Sequence, residues 1–242
     1  MCGRYSLFTP PDELTDRFDV TVENYEPRYN AAPGQSLPVI ADRDEKRLTR
    51  MEWGLVPSWA DERDGHINAR GETLHEKPTF RDAFEGTEGD LAAGRCLVPA
   101  DGFYEWVDEG DTSQPYRVRL TDDRPFVMAG LWSQWRPETT QTGLSAFGDG
   151  SGPADDEPDI VETFAIVTTE PNEVVGDLHH RMAVILSPGA EHRWLSADPG
   201  DARDLLVPYP GEEMDAYPVS RAVNDPANDS PALVDPLDGG SA

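Results

Sequence analysis

Proline and glycine interrupt every apolar stretch of this chain after a few residues, and that punctuation constrains the fold more than any other feature. There are 22 Pro and 21 Gly in 242 residues. Proline breaks helix interiors and glycine weakens them, so short strands are favoured over long helices. "SLPVIAD", "LTRMEWGLVP", "RCLVPADGFYEWV", "PYRVRL", "RPFVMAGLWSQW" and "ETFAIVTTE" read as strands. "PPDELTDRFDV", "KPTFRDAFEG", "EPNEVVGDLHH" and "SPGAEHRWLSA" read as short helices, the last with Ser187 as N-cap and Pro188 at the first helical position. The expectation is a single α+β domain. Its β core should be curved, barrel-like and mainly antiparallel, with short helices outside. Residues 1–223 would form the domain, interrupted by a long acidic loop at 137–160. Residues 224–242, "NDPANDSPALVDPLDGGSA", read as a frayed acidic tail.

Twenty basic residues face forty-seven acidic ones, for a net charge of −27. Only Lys46 and Lys77 are lysines. Such a surface suits a salt-rich cytoplasm, where the Debye length shrinks to about 3 Å at 1 M. No run is long and apolar enough for a membrane span, and no signal peptide is evident. Two cysteines, Cys2 and Cys96, are too few for a disulfide framework. A cytoplasmic monomer without cofactor or metal is expected.

Four clusters carry polar groups in strand-like surroundings. In "VPADGFYEW", Glu105 lies between Tyr104 and Trp106 after a turn at Asp101-Gly102. It reads either as a strand carboxylate facing water or as a desolvated acid suited to proton transfer. In "DLHHRMAVIL", His179, His180 and Arg181 read as a solvated helix end or as an acid–base group beside an anion-binding arginine. A metal site built from these histidines and a cysteine lacks the usual ligand spacings. "INARGETL" sets Asn68 and Arg70 on one face of an extended segment, or in an ordinary polar turn. Outside these clusters, in "MEWGLVPSWA", Trp53 reads as core, and Trp59, after Pro57-Ser58, as the exposed candidate for base stacking.

The fourth cluster is the chain's opening, "MCGRYSLF". If Met1 is removed, Cys2 carries a free α-amine and a thiol on adjacent carbons. An α-amine of pKa about 8 is roughly one-tenth neutral at pH 7, whereas a lysine near 10.4 is far less so. The terminus is thus suited to imine formation with an aldehyde, and the thiol can close a five-membered thiazolidine ring onto that imine.

The sequence resembles the SOS-response-associated peptidase family, the abasic-site processing proteins. The resemblance rests on "MCGRY", "RYNAAPGQ", "WGLVPSWA", "INARGET", "RCLVPADGFYEW", "FAIVTTEPN", "LHHRM" and "YPVSRAV", in that order. It implies binding of single-stranded DNA containing abasic sites and a covalent thiazolidine link to Cys2, a lyase-like chemistry in the DNA damage response. The family's catalytic cysteine, asparagine, glutamate and histidine fall on Cys2, Asn68, Glu105 and His179. Its DNA contacts fall on Arg4, Trp59, Arg70 and Arg181. Where the family usually has proline after Met182, this chain has Ala183. The peptidase label implies release of Met1, by the protein itself or by an aminopeptidase. The competing assignment is an N-terminal-nucleophile amidohydrolase, with the Cys2 thiol attacking an amide.

Overall fold

The computed structural model describes residues 2–41, 47–110, 112–137 and 159–237. Most of the acidic loop at 137–160, and Met1, lie outside the described residues. The strands are β1 (Tyr5–Leu7), β2 (Arg28–Ala31), β3 (Ser36–Ala41), β4 (Leu48–Trp53), β5 (Asn68–Arg70), β6 (Ala93–Ala100) and β7 (Gly102–Glu109). They continue with β8 (Thr112–Leu120), β9 (Phe126–Trp135), β10 (Val161–Thr169), β11 (Met182–Ala183), β12 (Ile185–Leu186) and β13 (Met214–Pro218). The helices are α1 (Pro11–Phe18), α2 (Pro78–Glu85), α3 (Glu173–Gly176), α4 (Ala190–Ser196) and α5 (Pro199–Arg203).

Strand β10 pairs with both β4 and β9, so the path β10–β4–β3–β6–β9 returns to its start and closes a five-stranded ring. Closure leaves the ring strands no open edge. β5, β11 and β12 attach to this ring, and a second sheet runs β13–β8–β7–β1–β2. The pairing is antiparallel except where β10 runs parallel to β4 and β5. This α+β architecture agrees with the expected curved β core, apart from those parallel contacts.

Side chains alternate along the ring strands, as the strand period requires. Val39, Met51, Val98, Met128, Phe164 and Ile166 enter a core shared with Tyr5, Phe103 and Val118 of the second sheet. Ile40, Leu97, Ala129, Leu131, Ala165 and Val167 point the other way, onto Phe84 of α2 and Trp194 of α4. Burying each of these large side chains contributes about 1.5–3 kcal/mol. Gly130, opposite Cys96 in the β6–β9 ladder, permits the close strand approach; a Cβ there would lie 2.7 Å from Cys96 Sγ.

Three local expectations are corrected. "RCLVPADGFYEWV" is two strands in different sheets, because Asp101 turns the chain between β6 and β7. Helix α4 begins at Ala190, not Pro188. Ser187-Pro188-Gly189-Ala190 forms a turn instead, with Gly189 at φ 89° and the Ala190 amide donating to Ser187 O. Pro at the second position and a left-handed Gly at the third is type II turn chemistry. Finally, residues 224–237 are packed rather than frayed. Leu233 is buried, and the Asp229 carboxylate accepts from the Tyr29 and Asn30 amides and from Arg28. The sequence pattern looked disordered because the segment is held by polar side chains and backbone groups, with few apolar anchors.

Among the described residues, no helix is long and apolar enough to cross a membrane, which leaves strand-built spans unaddressed. Among them, too, no cluster of three or more His, Cys, Asp or Glu is arranged to hold a metal ion. Cys2 and Cys96 are both buried free thiols.

Candidate active site

The first residues of the chain are held rather than frayed. β1 pairs with β2 and with β7, the Tyr104 amide donates to Arg4 O at 3.0 Å, and the Asp101 amide donates to Ser6 O at 2.8 Å. The buried Asp101 carboxylate accepts in turn from the Phe8 and Thr9 amides and from the Thr9 hydroxyl. Gly102 is required beside it, since a Cβ would stand 2.8 Å from Val118 O. This corner delivers Cys2, fully buried, into the core between ring and second sheet.

Asn68, at the start of β5, donates from Nδ2 to the Cys2 carbonyl at 3.0 Å. Its Oδ1 is buried with no hydrogen-bond partner among the described residues, an acceptor available for a nearby N–H. Glu105, on β7, is only 2% exposed, so the water-facing alternative is excluded. Burial pushes its carboxyl up to about 7, and the positive charge of the amino terminus pulls the other way without cancelling the effect. Burial also pushes the Cys2 thiol up, and the nearby Glu105 charge adds to that. The thiol is therefore neutral, and the carboxyl is poised between its two forms at neutral pH.

His179 follows α3. Burial pushes its imidazole pKa down; a hydrogen bond to the Arg181 backbone opposes this, and the positive charges of the amino terminus, His180 and Arg181 add to it. His179 Nδ1 lies 3.0 Å from both the Arg181 amide nitrogen and the Arg181 carbonyl oxygen, and the His180 ring lies 4.2 Å away, centre to centre. The Arg181 backbone therefore brackets that nitrogen, donating to it or accepting from it according to the tautomer.

The expected DNA contacts divide into two kinds. Trp59 is 56% exposed, and Arg70 is exposed with no guanidinium hydrogen bond among the described residues. Trp53, by contrast, is core: its Nε1 donates to Ile67 O at 2.9 Å, and it stacks on Phe164. Arg4 is half-buried and donates to Asn30 Oδ1 and Val223 O, both at 2.9 Å. Arg181 is held by Glu72 through paired bonds of 2.5 and 2.9 Å. Glu72 escaped notice in the sequence, although it stands only two residues beyond Arg70 in "INARGET".

Residues 1–226 match the family model described as SOS response associated peptidase (SRAP). The chain belongs to the SRAP family. It is 39% identical to the abasic site processing protein YoaM of Bacillus subtilis, over 97% of this chain and 98% of that one. It is also 39% identical to the abasic site processing protein YoqW of the same organism, over 97% of this chain and 99% of that one. A crystal structure of a Bacteroides thetaiotaomicron protein shares the fold at a TM-score of 0.79 and 26% identity, covering 97% of this chain and 99% of that one. The SRAP match spans every candidate residue above.

Proposed function

We propose that this protein processes abasic sites in single-stranded DNA, by forming a thiazolidine link between the sugar aldehyde and Cys2 once Met1 has been released. The observation carrying this reading is the buried, anchored Cys2 beside a carboxyl whose pKa is about 7. A group at that value both accepts and returns protons near neutrality. The neutral thiol favours an amine-first sequence over a thiolate attack on an amide, since the thiolate is the form needed for the latter.

In the proposed sequence, the Cys2 amine attacks the aldehyde carbon of the ring-opened deoxyribose to give a carbinolamine. Glu105 takes the excess proton from nitrogen and returns it to the departing hydroxyl, so one water leaves as the imine forms. The sulfur then bonds to the imine carbon, and the thiol proton passes to the ring nitrogen. His179 serves the proton transfers at the sugar hydroxyl and in ring opening, and the Asn68 carboxamide orients the terminus. Trp59 stacks on a base and Arg70 pairs with phosphate, while Arg4 and Arg181 add positive charge from their buried mounts.

A net charge of −27 opposes polyanion binding, and in a salt-rich cytoplasm phosphate contacts weaken further. Reversible affinity is therefore low, and the covalent bond retains the complex. The test is intact-mass analysis and denaturing electrophoresis after incubation with single strands bearing one abasic site, or none, at low and high salt. The expected product has the mass of protein lacking Met1 plus DNA minus one water, forms only with the abasic strand, and is lost in Cys2→Ala. Equal retention of both strands, or an adduct that survives Cys2→Ala, overturns the reading.

A further inference from the structure

The two arms that bring Asn68 and His179 to the site are short. β5 has three residues and β11 two, and both pair with the end of β10: Arg70 lies opposite Thr168 on one side, and Ala183 lies opposite it on the other. So few ladder bonds hold each arm weakly. A side-chain clamp sits where the arms meet. Thr168 O accepts from the Gly71 amide at 2.8 Å and from Arg181 Nη2 at 2.7 Å, joining the turn after β5 to the segment before β11. The Glu72 carboxylate then grips Arg181 with two bonds, to Nη1 and Nη2. The Arg181 side chain is 12% exposed and Glu72's is 48% exposed. Bidentate pairing fixes the direction of the guanidinium as well as its position. The backbone of that same arginine brackets His179 Nδ1, with its amide nitrogen and its carbonyl oxygen each 3.0 Å away.

We infer that Glu72 is a positioning residue: through its grip on Arg181 it fixes the orientation of His179 relative to Asn68. This rests on the proposed function for its effect on rate, but the geometry it asserts belongs to the free protein. A merely stabilising role predicts something different. A half-exposed ion pair contributes little to folding, so losing it should scarcely move the melting temperature. Losing the imidazole's fixed direction should be felt in the chemistry.

The test uses the full chain with Glu72→Gln, Glu72→Asp and Arg181→Lys, and two readouts. The first is long-range ¹H–¹⁵N NMR of the histidine rings without DNA, with His179→Ala providing the assignment. The wild type should show one sharp set of ring resonances for His179, as a ring held in one orientation gives. Glu72→Gln and Arg181→Lys should shift or broaden that set, and Glu72→Asp should restore it. The second readout is the crosslinking rate on an abasic single strand, where Glu72→Gln should lose about tenfold to hundredfold, the scale of a misplaced reacting group. In the His179→Ala background the same change should cost nothing further. Unchanged His179 ring resonances in folded Glu72→Gln overturn the inference, as does a full rate loss that persists without His179. Absence of any wild-type crosslink refutes the proposed function instead, and the NMR readout still decides the role of Glu72.

Discussion

Replacing Glu105 with Gln should make this protein more stable and nearly inactive, with the gain in stability appearing only at higher pH. The carboxyl is 2% exposed, and its pKa lies at about 7 in the folded chain against an ordinary 4.5. A raised folded value means the unfolded chain gives up the proton first. The stability associated with the neutral acid is fully present below 4.5 and is lost as pH rises through 7. About 2.5 pH units at 1.36 kcal/mol each give a loss of about 3 kcal/mol by pH 8. Gln keeps the size of the side chain and cannot ionise. The gap between Glu105→Gln and wild type should therefore open by about 3 kcal/mol between pH 4.5 and 8. In a chain of this length that corresponds to about 6–12 °C in melting temperature. Urea unfolding at four pH values between these limits measures the gap. Crosslinking by the variant should fall about 10²–10⁴-fold, the usual contribution of a positioned acid–base group. A stability gap independent of pH would refute the argument that burial tunes this carboxyl.

Four further changes test other parts of the structure. Asn68→Ala removes the bond to the buried Cys2 carbonyl and should cost about 1–3 kcal/mol in chemical denaturation, with slower crosslinking. Trp59→Ala should leave stability within about 0.5 kcal/mol, because the ring is mostly exposed. It should weaken single-strand binding by about 1–3 kcal/mol in fluorescence anisotropy, and the loss should persist at high salt. Gly130→Ala drives a methyl against Cys96 Sγ and Val98 and should destabilise by about 1–3 kcal/mol, read as a lower melting temperature. Asp229→Ala strips the acceptor from two backbone amides; the expected result is a loss of about 1–3 kcal/mol and new protease cleavage within 225–237.

Strand positions were legible because Pro and Gly punctuation and alternation are local properties. "RPFVMAGLWSQW" and "ETFAIVTTE" became β9 and β10 nearly to the residue. Ring closure was not legible in the same way, since it depends on β10 pairing not only with its chain neighbour β9 but also with the distant β4. The parallel β10–β5 contact, which carries Asn68 inward, has no local signal in a three-residue strand. Glu105 shows the limit most clearly. "FYEW" alternates as a solvent-facing strand would, and only the second sheet folding against the ring buries it. Motif order supplied Cys2, Asn68, Glu105 and His179 as candidates; the pairing of Arg181 with Glu72 required coordinates, because the two residues are 109 positions apart. The tail misled because a carboxylate seated on two backbone amides looks, in sequence, like any other solvated aspartate.

The latch formed by residues 223–229 has a consequence for how the protein is made. Arg4 is pinned to the carbonyl of a residue 219 positions later, and Asn30 Nδ2 lies within 3.2 Å of the Val223, Asp225 and Asn228 carbonyls. Ribosomes deliver the amino end first, so the stretch that buries Cys2 must wait, without this support, until residues 223–229 have emerged. The pocket around Cys2 therefore takes its final shape late in synthesis, after the strands of the ring are already available to pair.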